Sequence, residues 1–423
     1  MRKSIAILSI VFIVLGACSE QNESIVEIKK TDTGYQLYRN GAPFYIQGAG
    51  ITGKYAMLKE YGGNSIRTWG ITEWDEVFAQ AEKHGLTVCA GLWLEQERQG
   101  FDYNDPEAVQ KQFEGFKEAI LKYKDHPSLL LWGIGNEMDL HYTNPKVWDA
   151  VEQVAKFIKE VDGKHPTMTV TAFIEQEEVE LIKSKCPSID ILGVNAYAGL
   201  PVLSKFLDDF GWTGPYIVGE WGPFGHWEVD KTTWNEPIEH TSKEKAALYL
   251  KEYTDYIKHE PNCLGAYVFL WGSKQERTAT WYSMFLPGGE KTPAVDVMRH
   301  SWKGEWPGNK APILDSLRLD GRKAADNIIV KPNVSLTAQV YARDPENDAL
   351  KINWEILHET TDKRAGGDEE EKPPAVEGIM VAQGNTSLAF TAPQQAGPYR
   401  LFVYVYDQNG SGGHANIPFF VKE

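Results

Sequence analysis

The chain has 423 residues, with 43 Lys and Arg against 59 Asp and Glu, for a formal net charge of -16. That length allows two or three domains, and the acidic balance argues against nucleic acid or an acidic polysaccharide as partner. The four cysteines are scattered without metal-ligand spacing, so neither a disulfide framework, a metal nor a cofactor is expected.

Arg2 and Lys3 open the chain, followed by the apolar run Ile5–Leu15. That run is too short for a comfortable membrane span. Leu15-Gly16-Ala17-Cys18 then reads as a cleavage box. This start resembles a bacterial lipoprotein signal. The resemblance implies removal of residues 1–17, acyl chains on Cys18, a polar tether over 18–24, and an outer-membrane lipoprotein exposed at the cell surface.

Ile25–Ile46 alternates around Asn40-Gly41, a hairpin signal leading into the first core strand. Apolar runs then recur at Phe44–Gln47, Ser65–Trp69, Thr87–Leu94, Leu129–Asn136, Thr167–Thr171, Ile189–Tyr197, Tyr216–Glu220 and Leu264–Trp271. Helix-like stretches separate them, including Trp74–His84, Pro106–Tyr123, Pro145–Val161, Glu177–Lys185 and Lys243–His259. This order predicts an α/β fold, a (β/α)8 TIM barrel over residues 25–308. The strands are apolar throughout, as expected when helices cover one face and the barrel interior fills the other.

After Trp306-Pro307-Gly308 the helical period disappears. Short alternating strands at Ser335–Tyr341, Lys351–Leu357, Ser387–Thr391, Tyr399–Tyr406 and Asn416–Val421 predict an immunoglobulin-like β-sandwich over 309–423. Within it, Asp362–Pro374 reads as a solvated loop and Asp344–Asp348 as an acidic turn, and the whole unit reads as a spacer. Gly48-Ala49-Gly50-Ile51-Thr52-Gly53 fits the dinucleotide fingerprint. Arg67-Thr68-Trp69 stands where that fold wants an acidic residue, so the glycines read as a tight loop after the first strand.

Two segments carry chemistry: LLLWGIGNEMD (129–139) and PYIVGEWGPF (215–224). Each is a buried strand ending on a glutamate, Glu137 and Glu220. A carboxyl there is a costly choice for packing alone. Barrel strands end at one common face, so two such carboxyls point to glycosidic bond cleavage; a retaining pair stands about 5–5.5 Å apart. Fourteen tryptophans suggest a sugar cleft. Trp69, Trp93, Trp221, Trp227, Trp234 and Trp281 are candidate platforms for pyranose rings, and His141 and His226 are candidate lining residues.

Asn136-Glu137, the Val218-Gly219-Glu220-Trp221-Gly222 run, Arg67 in Asn64–Trp69, Tyr197 in Val194-Asn195-Ala196-Tyr197, and Trp271 ending strand eight together resemble the clan A retaining glycoside hydrolases. With the Asn136-Glu137-Met138 region and one C-terminal sandwich, the likeness is greatest to glycoside hydrolase family 158. The resemblance implies that Glu137 is the acid/base and Glu220 the nucleophile. It implies that Asn136 bonds the sugar 2-hydroxyl, Arg67 holds Glu220 ionised, Tyr197 bonds the nucleophile and Trp271 floors the reacting sugar. It further implies an endo-β-1,3-glucanase acting on a laminarin-like β-glucan polysaccharide or oligosaccharide. β-Mannan, β-1,4-glucan, transglycosylation by the same glutamates and glycan binding without turnover stay open, as does the oligomeric state.

Overall fold

A computed structural model of the chain describes residues 24–376 and 386–423. Cys18, the 1–17 leader and most of the tether lie outside the described residues. Three antiparallel strands come first, β1 (Val26–Thr31), β2 (Gly34–Arg39) and β3 (Ala42–Phe44). Asn40 and Gly41 both take positive φ, 50° and 76°, the geometry of the tight turn that joins β2 to β3. This sheet closes the N-terminal end of the barrel. Val26 N–H donates to the Lys164 carbonyl at 2.9 Å and Tyr35 N–H to that of Pro261 at 3.0 Å. Arg39 donates to the Pro127 carbonyl at 2.7 Å.

The eight apolar runs form a closed barrel: β4 (Ile46–Ile51), β5 (Ser65–Arg67), β6 (Thr87–Leu92), β7 (Leu129–Ile134), β8 (Thr167–Thr171), β9 (Ile191–Asn195), β10 (Tyr216–Trp221) and β11 (Cys263–Trp271). All barrel pairings are parallel. One helix follows each strand: α1 (Tyr55–Glu60), α2 (Trp74–His84), α3 (Pro106–Tyr123), α4 (Lys146–Val161), α5 (Gln176–Lys185), α6 (Leu200–Asp209), α7 (Ser242–Tyr256) and α8 (Pro293–Lys303). Local chemistry fixes several starts. Asp105 accepts from the Glu107 and Ala108 amides ahead of Pro106, and Thr241 with Glu244 forms a capping box.

The core lies in two layers. Ile46, Cys89, Leu131, Met168, Ile191 and Tyr267 fill the barrel near its N-terminal end. Trp74, Trp132, Trp148, Trp221 and Trp271 belong to the larger core that the helices build with the strands. Cys89, Cys186 and Cys263 are free and buried. The glycine-rich run corrects the sequence reading: Gly48 and Gly50 lie within β4, not in a loop after it. A Cβ on Gly48 would stand 2.3 Å from the Tyr267 ring, and one on Gly50 2.6 Å from the Trp69 ring. These glycines make room for aromatic rings.

Beyond α8, strands β12 (Ile313–Leu319), β13 (Ile329–Val330), β14 (Ser335–Arg343), β15 (Lys351–His358), β16 (Ser387–Thr391), β17 (Gly397–Tyr406) and β18 (Gly412–Val421) form two sheets, ordered β12-β14-β16 and β13-β18-β17-β15. Leu314, Leu336, Val340, Trp354, Leu401 and Phe419 share one core between them. The Tyr399 hydroxyl donates to the Gln395 carbonyl at 2.9 Å. Strand β14 alternates buried and exposed residues, whereas β17 and β18 are buried almost throughout, because their second face meets the barrel.

That contact is polar and buried. Glu239, ahead of α7, accepts from Lys245, from Thr278 at 2.7 Å, from Thr280 at 2.8 Å and from Asn416 on β18 at 2.6 Å. Burial alone would raise the Glu239 carboxyl; Lys245 chiefly outweighs it and holds it at about 2. His414 on β18 lies 4.0 Å from Glu239. Burial, then the Lys245 charge, presses its imidazole down to about 3. The unfolded chain therefore takes up a proton on His414 near pH 6.5 that the folded chain refuses until about 3. Stability from this group is present above pH 6.5 and declines as pH falls through that window, by at most about 1.4 kcal/mol per pH unit. His414→Gln is expected to flatten the fall of Tm between pH 7 and pH 4; an unchanged slope would remove His414 from the acid response.

Candidate active site

Arg67 ends β5 with its guanidinium in the barrel mouth, only 2% exposed. One amino group donates to Asn195 Oδ1 at 3.2 Å, the Gly219 carbonyl at 2.7 Å and Glu220 Oε1 at 3.0 Å. The other donates to Asn136 Oδ1 at 2.6 Å. Glu220, on β10, receives two more donors: Trp69 Nε1 on Oε1 at 2.8 Å and the Tyr197 hydroxyl on Oε2 at 3.0 Å. Burial keeps the Tyr197 phenol well above its ordinary range, so it stays protonated and donates.

Glu137 follows β7 and is held differently. Its φ is 52° and Gly135 has 72°, so the chain turns through left-handed backbone at the strand tip. A non-glycine residue there is strained. The Glu137 amide is fixed on the Val170 carbonyl at 2.8 Å. Its carboxyl accepts from Asn195 Nδ2 at 2.8 Å. Burial pushes the Glu137 carboxyl up, the negative Glu220 pushes it further, and the Asn195 hydrogen bond offsets only part. Two neighbours complete the support. Gln96 donates to the Asn136 carbonyl at 2.6 Å. Asp139 accepts from the Ala172 amide at 2.9 and 3.0 Å, and burial raises its carboxyl to about 8.

These groups floor a cleft of about 710 Å³ lined by Trp69, Trp93, Tyr197, Trp227, Phe269 and Tyr282, among others. His141 and His226 line it too. Burial, then the charge of Arg277, lowers His226 to about 3, so its imidazole is neutral. A raised carboxyl in the same cleft as a second carboxyl is the equipment for glycoside cleavage. Among the described residues, no group of three His, Cys, Asp or Glu converges as a metal site.

The structure gathers Arg67, Trp69, Asn136, Glu137, His141, Tyr197 and Glu220 at the cleft and leaves out four expected tryptophans. Trp271 is fully buried against Tyr61, Phe285 and Trp302. Trp221 packs on Tyr249 and Tyr253 of α7. Strand alternation explains Trp221: Glu220 points into the barrel, so the next side chain points to the helices. On β11, Phe269 and Leu270 face the cleft and Trp271 turns outward. Trp281 is likewise buried, and Trp234 packs against Phe420 of the sandwich.

Three contributors escaped the sequence. Asn195 joins Glu137 to Arg67, and its signal was a polar residue ending an apolar strand. Phe269 lay one pleat from the expected tryptophan. Residues 364–368 of the presumed solvated loop line the cleft; no local pattern marks that contact. Arg67→Met would leave Glu220 buried without its counter-charge and is expected to cost about 3–5 kcal/mol of stability in urea unfolding. Glu220→Gln is expected to move the titration of Glu137 downward, read by carboxyl 13C NMR, because the neighbouring negative charge disappears.

The model of "Glycosyl hydrolases family 2, TIM barrel domain" matches residues 46–280. Over 184 residues the chain is 23% identical to β-glucuronidase of Chlorocebus aethiops, covering 39% of this chain and 27% of that protein. It is 24% identical over 210 residues to the β-glucuronidase of Streptococcus agalactiae, 43% of this chain and 34% of the other. The matched segment thus spans about a quarter to a third of the length of these curated relatives. Among solved structures, the FMN-binding β-glucuronidase from Facaelibacterium prausnitzii L2-6 superposes with a TM-score of 0.52 at 15% identity, over 95% of this chain and 59% of that one. A β-glucuronidase from Ruminococcus gnavus gives 0.51 at 16% identity, over 66% of this chain and 52% of the other. At such identities these two structures speak to the fold alone. The matching family is family 2 rather than the family 158 suggested by the motifs, and what the two readings share is a barrel glycosidase. With the match covering more than half of the chain, the protein belongs to the glycosyl hydrolase family 2 TIM-barrel family.

Proposed function

We propose that the protein is a retaining endo-β-glycan hydrolase, an endo-β-1,3-glucanase on laminarin-like glucan, with Glu137 as acid/base and Glu220 as nucleophile. The observation that carries this reading is the bonded chain Glu137–Asn195–Arg67–Glu220 across the cleft floor. Glu137, raised by burial and by Glu220, is the carboxyl able to protonate the leaving oxygen. Glu220, bonded by Arg67, Trp69 and Tyr197, attacks the anomeric carbon. Formation of the glycosyl-enzyme removes the negative charge of Glu220, which lets Glu137 ionise and activate water. Asn136 spends its amide oxygen on Arg67 and Asn195, leaving its NH2 for the sugar 2-hydroxyl.

A neutral glycan suits the lining better than a uronide. Each Lys or Arg at the cleft already has a carboxylate: Lys274 with Glu276, Arg277 with Glu370 and Arg364 with Asp362. Trp69, Trp93 and Trp227 offer apolar faces for several successive rings, which favours cutting inside a chain.

We also read the two-sheet unit as immunoglobulin-like, supported by its strand order and the Tyr399 hydroxyl bond. The Leu15–Cys18 box supports a lipid-anchored place at the outer-membrane surface. β1 enters at the end of the barrel opposite the cleft, which suits an anchor there.

A panel of β-1,3-glucan, β-1,4-glucan, β-mannan and an aryl β-glucuronide, with product sizing and anomer detection by NMR, tests the assignment. Laminarin cleaved internally with retention is the expected result. Preference for the glucuronide, or inversion, would overturn it, and lengthened oligosaccharides early in the reaction would indicate transglycosylation. Glu220→Ala is expected to lose turnover on every substrate. Glu137→Ala should lose about 10²–10⁴-fold on glucan and far less on aryl glycosides with good leaving groups; equal losses on both would contradict its acid role.

A further inference from the structure

The connection between β15 and β16 leaves the sandwich at His358 and crosses onto the barrel, where Arg364, Ala365, Gly366, Gly367 and Asp368 line the cleft. Two rims of the barrel hold it. After β6, Arg98 grips Asp368 with two hydrogen bonds of 3.0 and 3.2 Å, and Gln99 adds a third at 2.9 Å. After β11, Lys274 donates to the Gly367 carbonyl, and the Arg277 amide donates to Glu370 at 2.6 Å. The Arg277 guanidinium also donates to the Arg364 carbonyl at 3.1 Å. Glu370 is 4% exposed and in turn accepts from the Arg364 amide at 3.0 Å.

Around the barrel, β11 and β6 are separated by β4 and β5, so the segment bridges two loops that are not neighbours at the mouth. Gly366 and Gly367 both have left-handed backbone, at 62° and 72°. A Cβ on Gly366 would stand 2.5 Å from the Arg98 guanidinium and 3.0 Å from Leu140. The chain is thus pressed onto the rim, with the Arg364, Ala365 and Gly367 carbonyls held by Arg277, Arg98 and Lys274. Joining two strands of the sandwich requires none of these anchors.

We propose that residues 364–368 are a specificity-determining wall of the glycan site. The Gly366 backbone, with the Arg364 and Asp368 side chains, bonds hydroxyls of sugar units remote from the cleaved linkage. The ligand class is a neutral β-linked oligosaccharide long enough to reach past the reacting ring. This inference rests on the reading of the cleft as a glycan-cleaving site.

The test uses the full chain, comparing kcat/KM on a β-glucan polymer with kcat/KM on an aryl β-glucoside that fills only the reacting subsite. Asp368→Ala is expected to lower the polymer-to-aryl ratio at least tenfold and to change product lengths. Adding Arg98→Ala should lower it little further, since Arg98 acts through Asp368. Arg364→Ala, whose side chain is largely exposed, tests the wall without loosening its anchors and should lower the ratio several-fold. A ratio within twofold of wild type in both Asp368→Ala and Arg364→Ala would overturn the proposal, as would parallel losses on both substrates. If the wild-type enzyme cuts a different neutral β-glycan, the linkage assignment falls, and the same ratio on that glycan still decides the role of the wall.

Discussion

One guanidinium organises the mouth of this barrel. Arg67 is a charge withdrawn from water, and such a charge is tolerable only where acceptors meet it on several sides. Here they come from β7, β9 and β10 through Asn136, Asn195, the Gly219 carbonyl and Glu220. Satisfying Arg67 therefore sets the relative height of four strand tips. Gly219 shows how little slack remains: a Cβ there would lie 2.7 Å from Asn195 Oδ1 and 3.2 Å from the guanidinium. Glu137 and Glu220 inherit their placement from this junction, so the cleft floor is organised before any ligand arrives.

The same residues show what a sequence can and cannot disclose. Glu137 and Glu220 stood out because an acidic residue at the tip of an apolar run contradicts packing, and Arg67 and Tyr197 kept their place in the strand order. The tryptophans misled because hydrophobic bulk says nothing about which side of a pleat it occupies. Trp221 is the neighbour of Glu220 and for that reason faces away from the cleft. Gly48 and Gly50 read as a turn in the sequence, since the Tyr267 and Trp69 rings that need the space lie far along the chain or across the sheet. The 364–368 segment reads as solvated because charge is its visible property, and the partners that hold it, Arg98, Lys274 and Arg277, lie in another domain.

Fold and chemistry separate cleanly in this molecule. The barrel and its paired carboxyls follow from strand register and support the proposed bond cleavage in general. Choice of glycan must come from the surroundings, where βα loops and the sandwich supply the variable surface. The cations at the cleft are neutralised within the protein, which leaves shape, aromatic faces and hydroxyl bonding to discriminate among sugars.

The crossing connection also bears on how such proteins diversify. Were recombination to graft this C-terminal unit onto a foreign barrel, it would carry part of its original groove along with it. It would also need a Glu239-like acceptor for Asn416 and an Arg98-like partner for Asp368 to be waiting. Inheritance of the two units should therefore be linked, the pair drifting together rather than being exchanged as independent cassettes.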